Sequence, residues 1–152
     1  MKATNTKSDV SAKAAFVKEL ENRGFKAEVV QAPADIRADK DGQTWYFEIK
    51  MTRHNDRYFG AATMTEWKQA LTDPDHYRFV IAIDLGEGNW KFIEYTPAEF
   101  MEFSTIPPFK VYFNIDFTGK RPTKTHRKSK AIRLSSENFS KLADAYTALE
   151  RG

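Results

Sequence analysis

Residues 44–50 constrain the fold most, because they form a run of aromatic and β-branched side chains. The run reads Thr-Trp-Tyr-Phe-Glu-Ile-Lys and follows Gly42, a pattern typical of a β-strand. Side chains alternate between the two faces of a strand. Trp45, Phe47 and Ile49 therefore share one apolar face, which predicts a core packed against this side of the sheet.

The opposite face of this strand carries an acid and a lysine. Glu48 and Lys50 both point to it, about 6–7 Å apart along the strand. Such a pair is either an ordinary exposed ion pair or half of a metal-dependent phosphodiesterase site. The spacing is common by chance, and the chain repeats it at Glu66-Trp67-Lys68, in a segment predicted to be helical. The pair alone does not distinguish an exposed ion pair from part of such a site, so the surrounding sequence must be used to decide between them.

Composition limits the classes of protein to consider. The 152 residues are enough for one domain with a core, and 41% hydrophobic with 14% aromatic content favours a folded globule. The absence of cysteine excludes disulfides, thiolate zinc sites and thiol nucleophiles. No apolar run approaches the roughly 20 residues that span a membrane, and the N-terminus lacks an apolar signal core. We expect a cytoplasmic protein with no membrane contact.

Hydrophobic spacing and turn residues predict the elements of the first two thirds of the chain. We predict a helix at 8–23 with its apolar face at positions 10, 14, 17 and 20, and a second helix at 64–71. Strands are predicted at 26–31, 35–39, 44–50, 77–85 and 90–95. An Asp-Gly turn makes the second and third strands a hairpin. The 26 residues between Lys50 and Tyr77 allow a crossover to a parallel fourth strand.

The remaining third is predicted to extend this core. A short helix starts at Thr96, a strand covers 109–117, and a final helix runs from Ser135 or Ser136 to about Leu149.

The motif around the central strand resembles a known nuclease pattern. Asp35 in Pro-Ala-Asp precedes Glu-Ile-Lys by twelve intervening residues, within a helix–strand–strand–strand–helix–strand order. This resembles the PD-(D/E)xK nuclease superfamily, which includes restriction enzymes, archaeal Holliday-junction resolvases and RecB-type nuclease domains. Phe-Glu-Ile-Lys-Met-Thr from Phe47, with the later Thr-Met-Thr-Glu-Trp and Tyr-Arg-Phe-Val-Ile, also looks like its "no vein" C-terminal branch.

The resemblance implies a fold. It is an α/β fold of restriction-endonuclease type, with a mixed β-sheet flanked by helices. An αβββαβ core at about 8–95 would carry a C-terminal strand–helix extension at about 96–152, all in one domain.

The resemblance also implies the residues of a site. Asp35, Glu48 and Lys50 would be catalytic, and Asp35 and Glu48 would hold Mg²⁺, or Mn²⁺, together with the backbone carbonyl of Ile49. Lys50 would orient the attacking water and stabilise the transition state. The chain departs from the pattern where Ala34 separates the proline from Asp35.

A second departure concerns the first helix. Resolvase-like members carry an acid early in that helix, and here the position falls on Lys13. Glu19 or Glu21 would have to substitute for that acid, and Gln69 on the second helix is the other auxiliary candidate of the site.

A basic stretch at 118–133 is the candidate nucleic-acid interface. It contains seven Lys or Arg and no acid, although the net charge of the whole chain is only +3. Such a patch is expected to contact backbone phosphates, and a solvated loop is the plainer alternative. Without aromatic residues in it, stacking on single-stranded bases is not indicated. The residues proposed to bind are Lys120, Arg121, Lys124, Arg127, Lys128 and Lys130.

These features together predict a metal-dependent nuclease that hydrolyses phosphodiester bonds in DNA. The alternative is a non-catalytic nucleic-acid-binding or protein-interaction domain of the same fold. A homodimer is compatible with either function.

Overall fold

The computed structural model describes residues 7–108, 110–119, 123–124 and 134–151. The chain divides into two compact units, Met1–Thr105 and Ile106–Gly152, which are described separately. The single domain expected from the sequence stays a prediction. Within the described residues, no helix combines the length and the apolar character needed to cross a lipid bilayer.

The first unit combines helices with a five-stranded sheet. Its elements in chain order are α1 (Lys7–Asn22), β1 (Lys26–Val29), β2 (Ile36–Lys40), β3 (Gln43–Thr52), α2 (Met64–Thr72), a 3-10 turn (Pro74–His76), β4 (Tyr77–Gly86), β5 (Asn89–Tyr95) and α3 (Pro97–Glu102).

The sheet is mixed and its strands lie in chain order, from β1 to β5. β3 and β4 are parallel, and the other neighbouring pairs are antiparallel. The parallel pair needs the long connection that contains α2, because a tight turn can join only antiparallel strands. The mixed sheet and the αβββαβ order predicted from the sequence are confirmed.

The central strand β3 separates two cores, as its alternating side chains require. On one face Phe47 and Ile49 pack with Phe16 and other residues of α1. On the other face Phe79 of β4 packs with the helices that follow, and its ring lies 4.4 Å from that of Phe100 in α3. Helices therefore cover both faces of the sheet.

The tight turn between β2 and β3 fixes the register on which the site depends. Asp41 and Gly42 have φ angles of 52° and 77°, the left-handed conformations of a two-residue type I′ hairpin. The turn pairs Ile36 with Phe47. Asp35, one residue before the start of β2, is thereby brought level with Glu48.

The orientation of α1 differs from the prediction. Val10, expected in the core, is 54% exposed, whereas Lys13 is only 8% exposed. The reason is the position of Phe16, whose ring packs against Phe47 and Phe92 at 5.3 and 5.0 Å and fixes the rotation of the helix. Ser8, expected at the helix start, lies inside α1 because the helix already includes Lys7.

The second unit contains β6 (Ile115–Asp116), β7 (Thr123–Lys124) and α4 (Ser136–Arg151). β6 and β7 pair antiparallel. The long strand predicted over 109–117 is wrong for the part described, where the strand is confined to β6. Asp116 ends it by accepting hydrogen bonds from the backbone and hydroxyl of Thr118. The predicted start of the last helix is confirmed, since the Ser135 hydroxyl accepts from the Asn138 N–H.

Candidate active site

Asp35 joins the candidate site to the backbone of the sheet. Its Oδ2 accepts a hydrogen bond from the N–H of Ile49 at 2.8 Å, beyond the last residue pair of β2 and β3. The carboxylate therefore continues the β2–β3 ladder just before the point where β2 begins. Its other oxygen, Oδ1, lies 3.2 Å from the Nζ of Lys13, so both oxygens of Asp35 are engaged.

Glu48 faces Asp35, as the register of the hairpin requires. The two carboxyl groups are close enough for the negative charge of Asp35 to act on Glu48. Burial, followed by the negative charges of Asp35 and Glu66, raises the pKa of Glu48 to about 8, although the ammonium of Lys50 opposes the shift. The uncharged form of Glu48 is therefore favoured in this environment.

Lys50 is held by an acid that the sequence prediction left unused. Its Nζ lies 2.7 and 2.9 Å from the two carboxylate oxygens of Glu66, with side chains only 16% and 20% exposed. Glu66 stands in the first turn of α2, where its N–H donates to the hydroxyl of the capping Thr63. The spacing Thr-x-x-Glu is a helix-start signal, and it could have placed Glu66 at this end of the helix.

Lys13 enters the same cluster from α1. Its Nζ lies 3.2 Å from Asp35 and 3.4 Å from Asp9, one turn earlier in the helix. Burial works to lower the pKa of Lys13, but the carboxylates of Asp35 and Asp9 outweigh it and raise the pKa overall. Lys13 is therefore a charged ammonium group in a nearly closed environment.

The hydroxyl of Tyr77 lies among the same carboxyl groups. It is buried and has no hydrogen-bond partner among the described residues. Burial first, and then the charges of Glu48, Glu66 and Asp35, raise the pKa of Tyr77 above its ordinary value. The phenol stays neutral at physiological pH, so it offers an O–H donor beside acidic groups.

The other predicted site residues lie in different places. Gln69 is half-buried on α2, one turn beyond Glu66, whereas Glu19 is exposed on α1. Glu19 lies six positions after Lys13, so at 3.6 residues per turn its side chain points about 120° away from that of Lys13 around the helix axis. Glu19 therefore does not join the cluster. Of the proposed DNA-binding residues, Lys124 lies in β7, while Lys120, Arg121, Arg127, Lys128 and Lys130 lie outside the described residues.

The donor atoms around Asp35 suit a hard divalent ion. No group of three or more His, Cys, Asp or Glu side chains in the described parts of the chain could bind a metal. Asp35 and Glu48 supply two carboxyl groups, however, and the carbonyl of Ile49 points to the same side of β3 as its N–H, which donates to Asp35. Oxygen ligands of this kind are those that Mg²⁺ and Mn²⁺ prefer.

The charges of the cluster also fit a divalent cation. The cluster contains four acids and two lysines linked by pairwise contacts, so with all of them ionised it carries an excess of negative charge. Burial, and then the charges of Asp35 and Glu66, raise the pKa of Glu48, and the ammonium of Lys50 offsets them only in part. An additional cation would lower that pKa, because an opposite charge favours the ionised form.

Comparison with known families places this cluster in context. Residues 9–94, more than half of the chain, match the family model described as Protein NO VEIN, C-terminal. The chain belongs to this family. The NO VEIN match contains the whole cluster from Asp9 to Tyr77 and ends before the second unit begins. The resemblance noted in the sequence is thereby confirmed.

Other comparisons add little to the NO VEIN assignment. A solved structure of Hjc, a Holliday junction resolvase from Archaeoglobus fulgidus, matches with 25% identity over 53% of this chain and 73% of that chain, at a TM-score of 0.37. No curated protein matches the sequence significantly.

Proposed function

We propose that this protein is a metal-dependent nuclease that hydrolyses phosphodiester bonds in DNA. One observation carries the proposal: the register of β2 and β3 brings Asp35 level with Glu48, and Lys50 lies on the same face of β3 as Glu48. This is an arrangement of paired acids and a cation that phosphodiester hydrolysis can use.

The paired acids are the proposed metal ligands. Asp35, Glu48 and the carbonyl of Ile49 would hold Mg²⁺ or Mn²⁺. Such an ion, when bound, lowers the pKa of a water molecule and neutralises charge on the scissile phosphate. The hydrogen bond from Ile49 to Asp35 keeps the first of these carboxylates in a fixed orientation.

Lys50 is proposed to act on the substrate. Its ammonium would orient the attacking water and stabilise the negative charge that develops on the phosphate. The bidentate contact with Glu66 restricts the lysine side chain to one position. A charge fixed in advance contributes more to catalysis than one that must be ordered during the reaction. Glu66 is therefore a positioning residue for Lys50.

Substrate binding is proposed to involve the basic stretch at 118–133. Its seven cations without a neighbouring acid would contact backbone phosphates regardless of sequence. DNA as the substrate rests on this stretch and on the nuclease-like site. The homodimer and the cytoplasmic location expected from the sequence stay predictions.

A cleavage assay with matched variants tests the proposal. Single-stranded, double-stranded and branched DNA, and RNA, are incubated with the protein in Mg²⁺, in Mn²⁺ and in EDTA. We expect metal-dependent cleavage of DNA by the native protein, and a loss of at least about 100-fold for Lys50→Ala, because a group acting on the transition state lowers turnover. Lys91→Ala, which removes an exposed lysine from β5 of the same sheet, should cleave normally.

The alternative function predicts a different result. A non-catalytic nucleic-acid-binding or protein-interaction domain would cleave none of these substrates with either ion. Cleavage that survives Lys50→Ala would contradict the role given to that lysine.

A further inference from the structure

The ammonium of Lys13 lies beside the oxygen of Asp35 that the strand does not bind. Of the two Asp35 oxygens, Oδ2 is bound by the Ile49 N–H and Oδ1 is 3.2 Å from Lys13. A divalent ion at Asp35 must therefore share Oδ1 with the ammonium of Lys13 or Oδ2 with the N–H of Ile49, and in either case two cations lie at one carboxylate. Two cations at one carboxylate repel each other.

Lys13 cannot simply withdraw into solvent. The residue is 8% exposed, and it lies in the buried stripe of α1 between Ala12 and Phe16. A buried ammonium group without a partner is costly, so any movement away from Asp35 requires another acceptor. Asp9 provides one, 3.4 Å from the same Nζ on the preceding helical turn.

We propose that Lys13 is a built-in cation that competes with a divalent metal ion for Asp35, with Asp9 as the acceptor that retains the ammonium when the ion binds. The inference rests on the proposed function only in placing the ion at Asp35. Without metal, Lys13 neutralises Asp35 and keeps it in place. With metal, it shifts its contact toward Asp9, so metal affinity depends on the difference between these two ion pairs.

Binding of Mn²⁺ measured by isothermal titration calorimetry, without nucleic acid, tests this competition. Lys13→Met removes the competing charge at similar length, and we expect the affinity for Mn²⁺ to rise at least about tenfold. Lys18→Met, at an exposed position of the same helix, should leave the affinity unchanged. Lys13→Arg, which keeps the charge, should bind close to the native level.

Asp9→Asn separates competition from a general effect of charge. Removing the second acceptor should weaken Mn²⁺ binding several-fold in the native background, because Lys13 is then confined to Asp35. In the Lys13→Met background the same change should have little effect, since Asp9 acts through Lys13. A loss of equal size in both backgrounds would overturn the proposal.

The remaining outcomes are also decisive. Equal Mn²⁺ affinity of the native protein and Lys13→Met would refute the competition but leave the nuclease proposal intact if cleavage is observed. Absence of Mn²⁺ binding in every variant would refute both the competition and the metal dependence. Should Lys13→Met fail to fold by circular dichroism, Lys13→Gln, which keeps a hydrogen-bond donor toward Asp35, makes the same comparison.

Discussion

Replacing Glu48 with glutamine should change how the stability of the protein depends on pH. In the folded protein, burial and the charges of Asp35 and Glu66 raise the pKa of Glu48 from 4.5 to about 8. Between these pH values the folded state binds more protons at this group than the unfolded chain does. The free energy of unfolding therefore falls as pH rises through this window. Glutamine keeps the shape of the side chain but cannot ionise.

The size of the effect follows from the two pKa values. At 1.36 kcal/mol for each pKa unit, the difference between 4.5 and about 8 corresponds to at most about 4–5 kcal/mol. Water that reaches this half-buried carboxyl group reduces the expected loss to about 2–3 kcal/mol. Glu48→Gln should lack this loss. The unfolding free energy of the variant minus that of the native protein should therefore be about 2–3 kcal/mol larger at pH 9 than at pH 4.

Urea denaturation at one-unit intervals from pH 4 to pH 9, in EDTA, measures the difference. The control is Glu28→Gln, at an exposed position of β1 in the same sheet. The difference in unfolding free energy between Glu48→Gln and the native protein should grow with pH, whereas that for Glu28→Gln should stay flat. Parallel curves for all three proteins would refute the explanation of the Glu48 environment given above.

Two further predictions concern turnover and binding. Glu66→Gln removes the charge that holds Lys50, and turnover should fall about tenfold with little change in DNA affinity; single-turnover cleavage and a binding titration measure the two quantities. A turnover that is unchanged or faster in Glu66→Gln would show that Lys50 needs no such partner. Changing Lys124, Arg127 and Lys128 to Ala should weaken DNA binding for all sequences and flatten the dependence of log affinity on log salt by up to about three. Cleavage at saturating DNA should survive, and salt titrations with identical slopes would mean that the stretch is a solvated loop.

The sequence predicted the part of the site that depends on strand geometry. Alternation along β3 places Glu48 and Lys50 on one face, and the two-residue turn at Asp41 and Gly42 sets a register that brings Asp35 level with Glu48. Both rules are local, because the side-chain period of a strand and the conformation of a tight turn depend on few residues. These predictions therefore needed no knowledge of the packing.

The contributions of the helices were not predictable in the same way. The contact between Lys50 and Glu66 joins residues 16 positions apart across a connection whose path periodicity does not determine. Lys13 was not among the positions assigned to the apolar face of the first helix, and its burial results from the way Phe16 packs onto Phe47. The rotation of a helix about its axis depends on such packing, which a weakly amphipathic sequence leaves open.

The hydrogen bond from Ile49 to Asp35 gives this site an internal reporter. Because the amide of Ile49 donates directly to a proposed metal ligand, its NMR chemical shift and its rate of hydrogen exchange should respond to whatever occupies Asp35. The same contact complicates the usual alanine knockout. Asp35→Ala removes a ligand and also leaves a main-chain donor at the end of the sheet without its acceptor, so lost activity could reflect local opening. In Asp35→Asn the amide oxygen can still accept from the Ile49 N–H. This variant therefore tests the loss of the carboxylate charge while the hydrogen bond to the strand is kept.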